Sequence, residues 1–272
     1  MQSRQYKPPS DDRLITVSEA ELARWLGEFF WPFLRTAALF LAAPPFNSIA
    51  VPARAKLALA FVVAALLAAV LGHSEPLTLS WATAVLAAEQ ILIGLALGLA
   101  MQLTLGAMAL AGDFIGIQMG FGFAGLFDVQ SRFEVPVMAD FFGLVGLLLF
   151  LSLNGHLVLL GVLMHSFAVV PVALGSGIAT QGWWALARTG AMLFQMGVWL
   201  ALPVVAVLLA VQLALALVSR VTPQINLMSV GFAVLMLVGL TATITLLPYF
   251  VPAVQHMIEA GLAASGAALR AR

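Results

Sequence analysis

The sequence predicts an all-α integral membrane protein, and its composition is the main reason. Hydrophobic residues make up 62% of the 272 residues, and the mean hydropathy is +1.07. Charged residues make up 9%, against about 25% in soluble domains. Residues 141–187 and 221–258 contain no Asp, Glu, Lys or Arg. Such stretches are long enough to cross a bilayer, which takes about 20 apolar residues per helix.

The same composition excludes several classes of function. Twelve basic residues balance twelve acidic ones, so the chain has no basic surface for nucleic acid. It has no cysteine, which excludes disulfides and thiolate metal sites. No two of its four histidines stand three or four residues apart, and no phosphate-binding glycine motif is present. We therefore expect no nucleic-acid partner, no catalytic residue, no metal and no cofactor.

Six apolar segments follow one another between a polar N-terminal tail, 1–15, and a C-terminal tail, 256–272. Ser18 and Glu21 have the spacing of a capping box, which predicts that the first helix begins there. The fourth segment is interrupted near residue 154, and proline is expected to end the last segment. The segments are 29–43, 57–72, 79–111, 141–172, 189–219 and 227–247.

These segments do not match a simple series of membrane spans. The first two are shorter than the roughly 17–25 residues that a spanning helix needs, and the third and fifth are longer. The basic residues also indicate conflicting orientations. Arg54, Arg132 and Arg220 place alternate connections in the cytoplasm, and this orientation puts the N-terminal tail outside. The tail is itself basic, so the same rule would place it inside. We interpret the mismatch as helices that pack against other subunits, so that hydropathy reports burial in protein.

The most unusual stretch is 112–128, which holds five glycines, four phenylalanines and two aspartates. Gly112, Gly116 and Gly120 fall on one helical face, a spacing typical of close helix packing. A flexible apolar segment of glycine, phenylalanine and methionine is also what a seal or gate between helices requires. The residues alone leave both interpretations open.

A few polar residues lie within apolar segments, where they are costly unless they are paired. We expect Glu89 to hydrogen-bond a neighbouring subunit near the close-packing pair Gly94 and Gly98, with a proton site as the alternative. Arg35 is expected either to extend to the membrane surface or to pair with an acid on a partner. His156 most simply belongs to a helix cap or kink beside Asn154.

The connection 220–226 is dense in polar residues between two apolar segments. Pro223 disfavours helix at the residue before it, so a break is expected there. Gln224 and Asn226 can satisfy the backbone groups that the break frees, and Arg220 precedes it. These features predict a capped turn between two helices.

Taken in order, six motifs resemble the FliR/YscT family of flagellar and type III secretion export-gate proteins. The resemblance runs from about residue 19 to residue 252, and the flagellar branch is the more similar one. The motifs are 31–35; 51–54 with Lys56; Glu89 with Gly94 and Gly98; 112–128, including Gln118, Met119 and Gly120; 154–156; and 219–226 followed by 230–232.

The resemblance implies a non-enzymatic subunit of a protein export gate. It implies that one copy of the chain is present in the gate. It also implies that residues 16–255 consist of a FliP-like part followed by a FliQ-like part, both built of helical hairpins. Together with FliP-like and FliQ-like subunits this copy would form a cone-shaped helical assembly in the bacterial inner membrane, within the flagellar basal body. An FlhB-like switch protein, an FlhA-like export protein and unfolded exported proteins are further implied partners.

The resemblance also favours gating over packing for the stretch 112–128. In the closed state Met119, Phe121, Phe123 and Phe127 would crowd the channel and exclude water, with Gln118 and Asp128 in the same segment. The glycines, Gly112, Gly116 and Gly120 among them, would let the segment move aside for substrate. Arg54, Arg220, Pro223, Gln224 and Asn226 are expected at subunit interfaces or in buried polar positions, as are Arg35, Glu89, Asn154 and His156.

Two other classes remain as alternatives. A secondary transporter, or another polytopic channel, would show broken helices with convergent polar groups at mid-membrane. A membrane enzyme would need a catalytic constellation, which the sequence does not show.

Overall fold

The structure, a computed structural model, is that of an all-α membrane protein, as the sequence predicts. It describes residues 18–48, 51–72, 76–77, 80–121, 136–175, 177–221 and 227–270. Within these ranges the regular elements are all α-helices. They are α1 (Glu19–Ala42), α2 (Ala53–Leu71), α3 (Trp81–Met119), α4 (Val137–Ser152), α5 (Gly155–Val169), α6 (Thr180–Val221) and α7 (Leu227–Arg270).

Helix α1 begins where the capping box predicts. The backbone N–H of Glu21 donates to Ser18 Oγ at 3.2 Å, and the backbone N–H of Ser18 donates to Glu21 Oε2 at 3.0 Å. These contacts satisfy donors that the first helical turn leaves unpaired. The hydrogen bonds from the Ser18 backbone and hydroxyl also lower the pKa of the Glu21 carboxyl.

Helix α3 is the centre of the molecule, and α1, α4, α6 and α7 pack around it. Two of its glycines, Gly94 and Gly98, face α1: a Cβ on Gly94 would overlap the Arg35 carbonyl, and one on Gly98 would lie 2.7 Å from Ala42 Cβ. The expectation of a close-packing pair at Gly94 and Gly98 is confirmed. Because α1 already covers this face of α3, a neighbouring subunit cannot pack against Gly94 and Gly98.

The predicted interruption of the fourth segment is confirmed. Helices α4 and α5 meet at 68°. Asn154 between them has the left-handed φ of 56°, a conformation that asparagine tolerates better than most residues. Gly155 lies directly against the Phe150 ring, where a Cβ would collide with it. The break therefore depends on both residues.

The predicted start of α6 and the predicted end of α7 are wrong. Helix α6 begins at Thr180, nine residues earlier than the apolar pattern indicated, and α7 continues through Pro248 and Pro252 to Arg270. Each proline removes one backbone donor, but Phe250 and Val254 are buried in the core on either side of Pro252. Tertiary packing of these side chains outweighs the local helix-breaking tendency, so 256–270 is helical.

Four described helices are long and apolar enough to cross a membrane: α2, α3, α6 and α7, with the bent α4–α5 pair as a fifth candidate. Helices α6 and α7 contain 42 and 44 residues. At about 1.5 Å per residue each is more than 60 Å long, about twice the ~30 Å hydrocarbon layer. In the most apolar part of each, 17% of the residues are buried.

Candidate functional site

The end of helix α3, residues 118–121, is fixed against α6 and α7; we call these residues the α3 end. Met119 is fully buried, and its side chain lies against Gly239 of α7. The Phe121 ring meets the Phe232 ring edge to face, with 6.5 Å between the ring centroids. Gly120 ends the helix with φ 89°, the left-handed conformation that glycine supplies at many helix ends.

Two glycines upstream of the α3 end serve close packing. A Cβ on Gly112 would overlap the Met138 carbonyl of α4, and one on Gly116 would lie 3.2 Å from Met138 Cβ. Both glycines lie within regular helix. The expectation of a flexible segment from Gly112 onward is therefore corrected, since regular helix continues to Met119. The close approach of α4 explains the glycine at 112, where a Cβ would overlap the α4 backbone, and the tight contact at 116.

A polar contact with α6 completes the α3 end. The side-chain amide of Gln212 donates to the Gln118 backbone carbonyl at 3.0 Å and to Gln118 Oε1 at 3.1 Å. Sequence analysis named Gln118 and missed Gln212. The available signal was a single glutamine within the apolar stretch 202–218.

Several expected site residues lie outside the described part of the chain. Phe123, Phe127 and Asp128 belong to 122–135, and Pro223, Gln224 and Asn226 belong to 222–226. Their roles remain predictions.

A second polar centre surrounds Arg35, which is fully buried. Its Nε donates to Gln90 Oε1 at 2.9 Å, and NH2 donates to the same oxygen. NH1 donates to Ser166 Oγ at 3.0 Å, and NH2 donates to the Val170 carbonyl at 3.0 Å. The guanidinium carbon lies 4.0 Å from the centroid of the Phe167 ring.

The surroundings of Arg35 differ from both expectations, since it neither extends to a membrane surface nor needs an acid on a partner. Its ligands Ser166, Phe167 and Val170 form the C-terminal end of α5. A cation is stabilised there by the helix dipole and by the last carbonyl groups, and the aromatic face adds to this. Arg35 thereby joins α1, α3 and α5. Sequence analysis did not pair Arg35 with Gln90 or with Ser166.

Glu89 lies on α3 next to this centre but faces the connector between α5 and α6. A Cβ on Gly177 would lie 3.5 Å from its carboxyl group. Glu89 Oε2 is buried and makes no hydrogen bond within the described residues. Since α1 covers Gly94 and Gly98, Glu89 does not share a free surface with them, and that part of the expectation is corrected.

The remaining expected residues are dispersed. Arg54 is exposed near the start of α2, and Arg220 is exposed in the last turn of α6, where its charge favours the helix end. Asn154 is exposed at the α4–α5 bend, and His156 is half-buried with a buried Nδ1 that makes no hydrogen bond within the described residues. Among the residues described, no three His, Asp or Glu side chains are placed to hold a metal ion.

Comparison with known proteins identifies the family. The model of the family "Bacterial export proteins, family 1" matches residues 26–261. Flagellar biosynthetic protein FliR of Pectobacterium carotovorum is 38% identical over 246 residues, which cover 90% of this chain and 94% of the relative. The protein of the same name from Escherichia coli is 36% identical over the same shares, and that from Bacillus subtilis is 32% identical over 75% of this chain and 79% of the relative. The resemblance inferred from the sequence is confirmed, and the chain belongs to family 1 of the bacterial export proteins.

Proposed function

We propose that the chain is a subunit of a flagellar type III protein export gate. In this proposal one copy joins FliP-like and FliQ-like subunits in the bacterial inner membrane, within the flagellar basal body. The assembly forms a channel for unfolded proteins, next to an FlhB-like switch protein and an FlhA-like export protein. The observation that carries the proposal is the family match over 26–261, together with relatives named flagellar biosynthetic protein FliR.

The exposed apolar surface supports a multi-subunit assembly. On α6 large exposed apolar side chains extend from Trp183 to Val221, almost the whole helix. A span of about 57 Å, at 1.5 Å per residue, fits within a ~30 Å hydrocarbon layer only at a tilt of nearly 60°. Transmembrane helices rarely tilt beyond about 40°. Part of this surface therefore needs protein to cover it, which a complex of several helical subunits provides.

The stretch 112–128 supports a role in closing the channel, and its two parts would have different roles. Its first part is the packed end of α3, and its remaining part, with Phe123 and Phe127, follows the α3 end. Apolar constrictions close other pores by excluding water. We propose that the phenylalanines form such a constriction and that the α3 end anchors it. This mechanism needs no covalent chemistry.

The closing role can be tested by removing the aromatic rings. We expect the Phe123→Ala/Phe127→Ala variant to assemble normally and to raise small-ion conductance at least tenfold, because a wider constriction stays wet. The measurement is ion conductance of the purified complex reconstituted in lipid vesicles. Leu41→Ala, at an exposed position of α1 outside the apolar surface of α6, is the control and should leave conductance unchanged. A fully assembled double variant that conducts no more than this control would contradict the closing role.

A further inference from the structure

One side chain of α6, that of Gln212, makes a polar contact with the α3 end. Its amide donates to the Gln118 backbone carbonyl at 3.0 Å and to Gln118 Oε1 at 3.1 Å. Helix α6 has a mean hydropathy of 2.7 in its most apolar part. A glutamine amide in such surroundings is costly unless it is hydrogen-bonded. The two bonds explain how Gln212 is accommodated there.

The contacts described between the α3 end and α7 are apolar. Met119 lies against Gly239, and the Phe121 ring meets Phe232. Apolar contacts are non-directional and tolerate a small rotation of the helix end. A hydrogen bond weakens steeply as its angle departs from linearity, and more so in surroundings of low dielectric. The amide of Gln212 is therefore the directional contact among those described between the α3 end and a neighbouring helix.

The helix end leaves an acceptor for this amide. The backbone N–H of Gly120 donates to the carbonyls of Gly116 and Ile117. These are two of the last four carbonyl groups of a helix, which lack a regular donor within it. The carbonyl of Gln118 receives the Gln212 amide instead. Gln212 thus acts as a cap supplied by a different helix.

We propose that Gln212 is a positioning residue of the gate: its amide holds residues 118–121 on α6 in the closed state, so that a movement of α6 relative to α3 is transmitted to the α3 end. The inference rests on the function proposed above. Because α6 also carries much of the exposed apolar surface, the contact connects that surface with the α3 end.

The two glutamines should contribute unequally. Gln212→Leu removes both hydrogen bonds, whereas Gln118→Leu removes one, since the backbone carbonyl of residue 118 remains as an acceptor. The double variant should behave like Gln212→Leu alone, because that change has already removed the shared contact. A general loss of polarity would instead make the two changes additive.

The test uses the complete gate complex, purified and reconstituted in lipid vesicles. We expect Gln212→Leu to raise small-ion conductance about tenfold with unchanged subunit stoichiometry, and Gln118→Leu to raise it less. Gln195→Leu is the matched control, since Gln195 is an exposed glutamine of the same helix. Should Gln212→Leu fail to assemble, Gln212→Asn is measured in its place and is expected to raise the conductance in the same way. Asparagine keeps the amide but is one methylene too short to reach Gln118.

The outcomes separate this inference from the proposed function. Suppose that the Phe123→Ala/Phe127→Ala complex conducts ions, while the assembled Gln212 variant conducts no more than Gln195→Leu. The positioning role is then overturned, and the closing role stands. If neither conducts, the closing role and the positioning role both fail. Equal leak from Gln195→Leu and Gln212→Leu would also overturn the positioning role.

Discussion

Gly112→Ala is expected to destabilise the protein by about 3 kcal/mol, the upper end for overpacking a well-packed interior. The new methyl group would overlap the Met138 carbonyl and lie 2.8 Å from Ala139 Cα. Both are backbone atoms of α4, which cannot turn aside as a side chain can. Helices α3 and α4 would have to separate. The measurement is the thermal midpoint of the purified complex, together with its yield.

Gly161→Ala is the matched control for this change. Gly161 lies inside helix α5, and beyond its chain neighbours and the local helix backbone no described atom lies within 4 Å of the position its Cβ would take. Alanine favours helix by up to about 1 kcal/mol over glycine, so this variant should be neutral or slightly more stable. Equal stability of the Gly112 and Gly161 variants would show that the α3–α4 approach is not as close as the structure has it.

Arg35→Met is expected to cost about 3 kcal/mol or more. The change leaves Gln90 Oε1 and the Val170 carbonyl without the donors they have in the structure. Hydrogen bonds to a charged group contribute about 1.5–3 kcal/mol each, and an unsatisfied buried acceptor costs about 1–3 kcal/mol. Arg35→Lys should lose less, because it keeps the charge but not the fork of donors. Proteolysis between α5 and α6 and the thermal midpoint of the complex report the effect.

Arg24→Met provides the comparison, since Arg24 is exposed on α1, the helix that also carries Arg35. Surface changes of this kind usually stay within about 0.5 kcal/mol. If Arg35→Met proves no more destabilising than Arg24→Met, the hydrogen bonds around Arg35 do not hold α1, α3 and α5 together.

Features set by neighbouring residues could be predicted from the sequence. Ser18 and Glu21 act on each other within one helical turn, and Asn154 with Gly155 bends the chain where they stand. Gly94 and Gly98 indicate a close approach through their spacing alone. Each of these needs no knowledge of distant parts of the chain.

Features set by distant residues could not be predicted. Ser166 is separated from Arg35 by 131 residues, and Gln212 from Gln118 by 94. Helical periodicity shows which face a residue occupies but not which helix lies opposite. The same limit explains the end of α7: Pro248 predicted a stop, while the burial of Phe250 and Val254 keeps the chain helical. The closing role of 112–128 came from the family resemblance, because its residues alone also fit a packing seam.

Native mass spectrometry of the chain, co-expressed with FliP-like and FliQ-like proteins and extracted in mild detergent, tests membership of an export gate most directly. We expect a discrete particle that contains one copy of this chain and several copies of each of the two smaller proteins. A stable monomer or homo-oligomer, formed while both proteins are present and unbound, would contradict the proposed function.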